Sequence, residues 1–172
     1  MQIKASTSGI CCLALLASAS IAFAASSSNP DRQFLILAAK TDMTEAHEGQ
    51  MAEAKAWRAD VKSLAKTLVQ EHTESYEHLT ELAAKTGASI PKGIDTAKNP
   101  IVKQLSRLKG ASFDYQFARD EVAANRMAIA AFKQEAAHGR DAEVRSYAGK
   151  MIPILSKDLH LAEECVRPAA HS

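Results

Sequence analysis

The sequence predicts an all-α protein, a four-helix bundle with one short extra helix in the connection between its second and third long helices. Three observations predict it. Alanine is abundant and aromatic residues make up only 5% of the chain, a composition that suits packed helices better than sheets of β-branched strands. Apolar residues recur at helical spacing over four long stretches, and no stretch shows the alternation of a strand. Turn residues divide those stretches by two short gaps and one long one, the loop pattern of a bundle. The 172 residues suffice for one domain and hardly for two. No sequence repeat or coiled-coil seam stands out.

The N-terminus reads as an export signal. Lys4 gives a short positive region, residues 10–23 form an apolar run too short for the ~20 residues that span a bilayer, and Ala22-Phe23-Ala24 is a small-x-small cleavage site. Residues 1–24 are therefore expected to be cleaved, leaving 25–172 as a single periplasmic or secreted domain, ordered over 30–166, with no membrane span. Cleavage removes Cys11 and Cys12, so Cys165 is left without an internal disulfide partner. It also removes Lys4, after which basic and acidic residues balance and no electrostatic footprint for nucleic acid remains. Nothing in the chain specifies a protein partner or an oligomeric state.

Asp31 is expected to cap a first helix running to about Ala56, with Phe34, Ala38, Glu45 and Ala52 on one face. The apolar phase changes near Trp57, which predicts a tight turn and Asp60 as the cap of a second helix ending at Gly87. Residues 88–99 read as a connection, and Asn99-Pro100 starts a short helix to about Lys109. Gly110 breaks that helix. Ser112 caps the third long one, Phe113–His138, and Gly139 takes the C′ position favoured by left-handed glycine. Asp141 caps the fourth, which runs to about Cys165 and is kinked or divided at Pro153.

Projected at 100° per residue, each long helix carries one polar residue at the middle of its apolar stripe: Glu45, His72, Asn125 and Asp158, with Glu121 one turn before Asn125. On the second helix, Val61, Ala65, Leu68, Tyr76, Leu79 and Ala83 fall within about 40° of His72. Glu45 and His72 are about equally far from the turn near Arg58 and so share a level, whereas Asn125 and Asp158 differ by ~6 Å in depth at ~1.5 Å per residue. Buried carboxylates are costly unless paired or bound to metal. One explanation is an Fe, Mn or Zn ion held by Glu45, His72 and Asp158, with Glu121, Asn125 or Tyr76 nearby. The other is a hydrogen-bonded layer that only fixes packing, with His72 between the two carboxylates.

Gln33-Phe34-Leu35 through Met43-Thr44-Glu45, Glu71-His72-Thr73, Gly110-Ala111-Ser112-Phe113-Asp114 and Ile152-Pro153-Ile154-Leu155 together resemble the bacterial ferritin-like envelope proteins grouped as domain of unknown function 4142. The resemblance covers nearly all of the mature chain in order. It implies a secreted, ferritin-like four-helix bundle with a mid-bundle cluster suspected of binding metal, and no established reaction. Members of that family usually carry histidine at the positions of Asn125 and Asp158, so only Glu45 and His72 match its pattern intact.

Two further patterns carry chemistry. Carboxylate-bridged dimetal oxidases on this fold need two Glu-x-x-His pairs, and only Glu135-Ala136-Ala137-His138 fits, beside the terminating Gly139. That argues against a redox metalloenzyme and for a non-enzymatic metal-binding or stress-associated protein. Met43, His47 and Met51 recur every four residues opposite the Glu45 face, a soft donor set that would suit copper, or a set of surface residues with no shared role. His78, His138 and His160 fall off the core stripes, and Cys165 faces inward. Mass spectrometry of the intact protein from a periplasmic extract is expected to show a chain beginning at Ala25, and a mass that includes residues 1–24 would overturn the export reading.

Overall fold

A computed structural model describes residues 29–167, in which all regular structure is helical. The predicted signal segment lies outside the described residues. The elements are α1 (Pro30–Lys55), α2 (Ala59–Thr86), the short α3 (Pro100–Arg107), α4 (Gly110–His138) and α5 (Ala142–Val166). Helices α1 and α2 form one hairpin, α4 and α5 the other, and each hairpin packs most extensively within itself. The hairpins meet through α1 on α4 and α2 on α5. Among the described residues no helix is long and apolar enough to cross a membrane.

Helix boundaries follow local chemistry, with several departures from the sequence reading. Asn29, not Asp31, caps α1: its side chain accepts from Asp31 N at 3.0 Å, and Pro30 takes the first helical position, where its missing N–H costs nothing. Arg58 rather than Asp60 precedes α2, and the exposed Asp60 pairs with the Arg58 guanidinium instead. Helix α4 starts at Gly110, two residues before the expected Ser112 cap. Gly139 is not left-handed (φ −56°); it is required because a Cβ there would come within 2.8 Å of the Glu135 carbonyl oxygen. Asn99 and Asp141 cap as expected, each accepting two backbone N–H groups. Helix α5 continues through Pro153 and is not divided.

The crossover from α2 to α4 is tied down at two points. Tyr76, expected near the polar layer, instead donates its hydroxyl to Pro91 O at 2.7 Å. Lys55 donates to the carbonyls of Leu105 and Ser106 at 2.8 Å each, capping the end of α3, and lies over the Phe113 ring.

The two hairpins are built alike, a repeat that periodicity alone did not reveal. Asp31-Arg32-Gln33-Phe34 opens α1 and Asp114-Tyr115-Gln116-Phe117 opens the core-facing part of α4. Each aspartate is buried and closes the turn of the opposite hairpin. Asp31 accepts from Arg140 N and Asp141 N, both at 2.8 Å, and Asp114 accepts from Trp57 N and Arg58 N at 3.0 and 2.8 Å. The interval from Asp31 to Asp114 recurs between Val61 and Val144, Ala65 and Ala148, Asp42 and Asn125, and Ser75 and Asp158. Asp114→Ala leaves two turn N–H groups without their charged acceptor and is expected to cost about 2–3 kcal/mol in urea unfolding, with Asp31→Ala costing a similar amount.

Candidate functional site

The apolar core is split in two. One cluster, near the start of α1, gathers Phe34, Leu35, Leu79, Phe132, Tyr147 and Leu155; the other, near the α1–α2 turn, gathers Val61, Leu68, Leu105, Phe113, Phe117 and Cys165. Between them every long helix contributes polar side chains. Helix α1 supplies Asp42, Glu45 and Glu48, α2 supplies His72 and Ser75, α4 supplies Glu121 and Asn125, and α5 supplies Asp158; none is more than 5% exposed. The i, i+3 and i, i+4 spacings put each set on one helix face, which is why a single layer forms.

The layer is organised around His72. Its Nδ1 donates to Asp42 Oδ1 at 2.9 Å. Ser75 Oγ donates to Asp42 Oδ2 at 2.8 Å, and because a serine hydroxyl has one hydrogen, the Tyr147 hydroxyl must be the donor in its 2.8 Å contact with Ser75. This chain of bonds fixes the imidazole and turns Nε2 inward. Nε2 is buried and has no hydrogen-bond partner among the described residues. A carboxylate on one ring nitrogen with the other nitrogen left free is the arrangement that orients a histidine toward a metal.

Negative charge is in excess. His72 is the one buried cation-forming side chain in a layer with five buried carboxyls. The Glu121 carboxyl lies beside that of Glu45, yet both of its oxygens lack a donor, and Asp158 stands in the same relation to Glu71. Two acceptors face each other at each place, so a proton or another cation must sit between them. Burial first, then Glu45 and Asp120, pushes Glu48 up to about 8. Burial and then Glu71 pushes Asp158 up to about 7, and burial and Glu45 hold Glu121 well above the ordinary range. Burial also raises Asp42, against its bonds to His72 and Ser75. For His72 burial acts downward, but the Asp42 hydrogen bond and the charges of Glu45, Asp42 and Asp158 outweigh it and raise the imidazole.

Glu45, His72, Glu121, Asn125 and Asp158 are all buried in the stretch between the two apolar clusters. Asn125 donates to Glu121 O at 3.0 Å, within its own helix, and its Oδ1 is unpartnered. Asp42, Glu48 and Ser75 went unnoticed in the sequence, although Asp42 and Glu48 flank Glu45 at three-residue spacing and so share its face. Among the described residues no three His, Cys, Asp or Glu side chains already form a closed set that could hold a metal ion. Met43, His47 and Met51 are half-buried, and Met51 packs on the second apolar cluster, so the stripe is less open than expected. Glu135 is buried beside Asp31 at the α4–α5 turn, while His138 lies apart from the layer at the end of α4.

A family model described as "Domain of unknown function (DUF4142)" matches residues 16–165, and the chain belongs to that family. No curated protein matches it. Among solved structures, a DUF305 fragment from Deinococcus radiodurans is similar at a TM-score of 0.70, with 15% identity over 80% of this chain and 95% of that one. CopM in its Cu(I)-bound form is similar at 0.65, with 16% identity over 78% of this chain and 93% of that one. A putative secreted DUF305 protein from Streptomyces coelicolor is similar at 0.68, with 12% identity over 84% of this chain and 98% of that one. Identities this low establish a shared all-helical fold and nothing further.

The raised carboxyls give the metal-free protein a definite pH dependence. Above the ordinary glutamate value of 4.5 the folded layer holds protons that the unfolded chain has released, so stability falls as pH rises, and for Glu48 this continues to about 8. The raised His72 acts with the same sign, its stabilisation being lost as pH climbs through its folded value. Thermal unfolding without metal is expected to show a midpoint that drops between pH 5 and pH 8, and Glu48→Gln is expected to flatten the drop.

Proposed function

We propose that this member of the DUF4142 family is an exported, non-enzymatic metal-binding protein of ferritin-like four-helix architecture, whose mid-bundle layer takes a divalent cation. The observation that carries the reading is His72: a fully buried imidazole whose Nδ1 is fixed by Asp42 and whose Nε2 has no partner. Glu45, His72 and Asp158 are the primary donors, with Glu121 beside Glu45 and the Asn125 amide as a weaker oxygen donor. One imidazole with carboxylates suits Fe, Mn or Zn. Because these side chains do not already close into a ligand set, binding would draw them together by side-chain rotation and release the protons they hold. The excess of buried carboxyls, otherwise neutralised only by protonation, supports the same reading.

A second reading is favoured by the structures of CopM in Cu(I)-, Cu(II)- and Ag-bound forms, which share this all-helical fold. On this chain the soft donors for copper are Met43, His47 and Met51, on the outer side of α1. A third reading leaves the layer as a packing device for an interaction protein. No dimetal oxidase is proposed, because the second Glu-x-x-His pair is missing.

Elemental analysis of untagged protein, as isolated and after incubation with Fe, Mn, Zn and Cu, separates these readings. The central site is expected to lose Mn or Zn on His72→Ala by tenfold or more in affinity, roughly the cost of losing one good ligand. Copper that survives His72→Ala but is lost from Met43→Leu/Met51→Leu would favour the stripe. Protein that stays metal-free throughout would leave the packing role, and His72→Leu combined with Glu45→Gln would then be expected to retain the fold.

A further inference from the structure

The two hairpins leave a groove of about 600 Å³ between α2 and α5. Its α2 wall carries Glu71, Glu74, Glu77 and Glu81, and Ser75 lies at its floor. Ser75 is the buried hydroxyl that donates to Asp42, which in turn holds His72. The groove floor is therefore two hydrogen bonds from the imidazole at the centre of the layer.

Glu71 connects this groove to the interior. One of its oxygens is paired with the exposed Lys157 ammonium on α5, and the other is buried without a partner. Its carboxyl lies against that of Asp158, which is fully buried with both oxygens unpartnered. Glu71 thus presents one oxygen to an exposed surface cation and the rest of its carboxyl to the layer. Lysine is suited to a displaceable contact: a single charge on a flexible stem, without the bidentate fork that would lock an arginine in place. The groove between α4 and α5 has the opposite character, with Arg119, Arg126 and Arg167 among its lining residues, and would repel a cation.

We propose that the α2–α5 groove is the entrance by which a hydrated divalent cation reaches the buried layer, and that Glu71, tethered by Lys157, is its gate. The glutamates on α2 concentrate the cation at the mouth. The cation displaces the Lys157 ammonium from Glu71, is taken between Glu71 and Asp158, and passes inward to His72. This inference rests on the metal-binding reading above, and it adds a route and a positioning role for Lys157 and Glu71.

Stopped-flow uptake of Mn²⁺ from a fluorescent indicator chelator tests it on the full chain. Lys157→Ala is expected to speed uptake roughly fivefold without changing the final amount bound, while Glu71→Gln and Glu74→Gln/Glu77→Gln slow it. Lys133→Ala, on α4 and away from the groove, is expected to leave the rate alone. Mn²⁺ uptake that occurs at one rate in all these proteins would overturn the gate and leave metal binding standing. If the wild-type chain takes up none of Mn²⁺, Zn²⁺ and Fe²⁺, the central metal site proposed above fails, and the route is decided by a metal-free measurement. Ser75→Cys is reacted with a cationic and an anionic methanethiosulfonate and read by peptide-level mass spectrometry. Faster modification by the cationic reagent, increased further by Lys157→Ala, supports an acidic passage to the layer; equal rates or no modification at that position rules it out.

Discussion

A layer of five buried carboxyls and one imidazole lies between two apolar clusters, each of which is well packed in its own right. An unbalanced buried charge cannot be tolerated at low dielectric, so the layer must hold protons or a metal cation. The Asp42–His72 hydrogen bond decides how the layer is arranged. Without it the imidazole could turn either nitrogen inward; Asp42 is the common acceptor of His72 and Ser75, and Tyr147 donates in turn to Ser75. With it, one nitrogen is committed to structure and the other is buried without a partner, while the charges of Glu45, Asp42 and Asp158 act on the ring.

The scaffold around the layer works by reciprocity. Each hairpin supplies, from the opening turns of its first helix, the aspartate that closes the other hairpin's turn. In each turn two backbone donors, Trp57 N and Arg58 N in one and Arg140 N and Asp141 N in the other, are satisfied by the opposite hairpin, so docking of the two hairpins and closure of both turns are coupled. The same register that relates Asp31 to Asp114 relates Asp42 to Asn125 and Ser75 to Asp158, which places the polar layer where the two halves meet. Gly49 lies one turn along α1 from Glu45, and a Cβ there would come within 2.8 Å of Val69 Cγ2 and 3.0 Å of Ala65 O. Helices α1 and α2 therefore approach closely next to the layer.

The likeness to CopM and to DUF305 proteins shows a shared all-helical fold. At such low identity the scaffold does not carry its donors from one protein to another, and function has to be argued from the side chains present. Here those are hard oxygen donors and one imidazole inside, with a half-buried sulfur-rich stripe on the outer side of α1. The two sets differ in softness and in access to solvent.

The all-α class, the four long helices, the short α3, the Asn99 and Asp141 caps, and the burial of Glu45, His72, Glu121, Asn125 and Asp158 were all legible in the sequence, because helical periodicity and capping are local. Asn29 was legible in principle by the same Asn-Pro signal that marked Asn99, but Asp31 next to it offered a competing cap. That competition is settled at long range: Asp31 is drawn away to the Arg140 and Asp141 amides. Periodicity also placed His72 in the core without saying what it touches. Its partner Asp42 is thirty residues away along the chain, and the Glu45–Glu121 and Glu71–Asp158 contacts join helices from opposite hairpins. A sequence sets which face of each helix is buried; only the packing of one helix on another sets which buried carboxyls meet, and hence where protons or cations must sit.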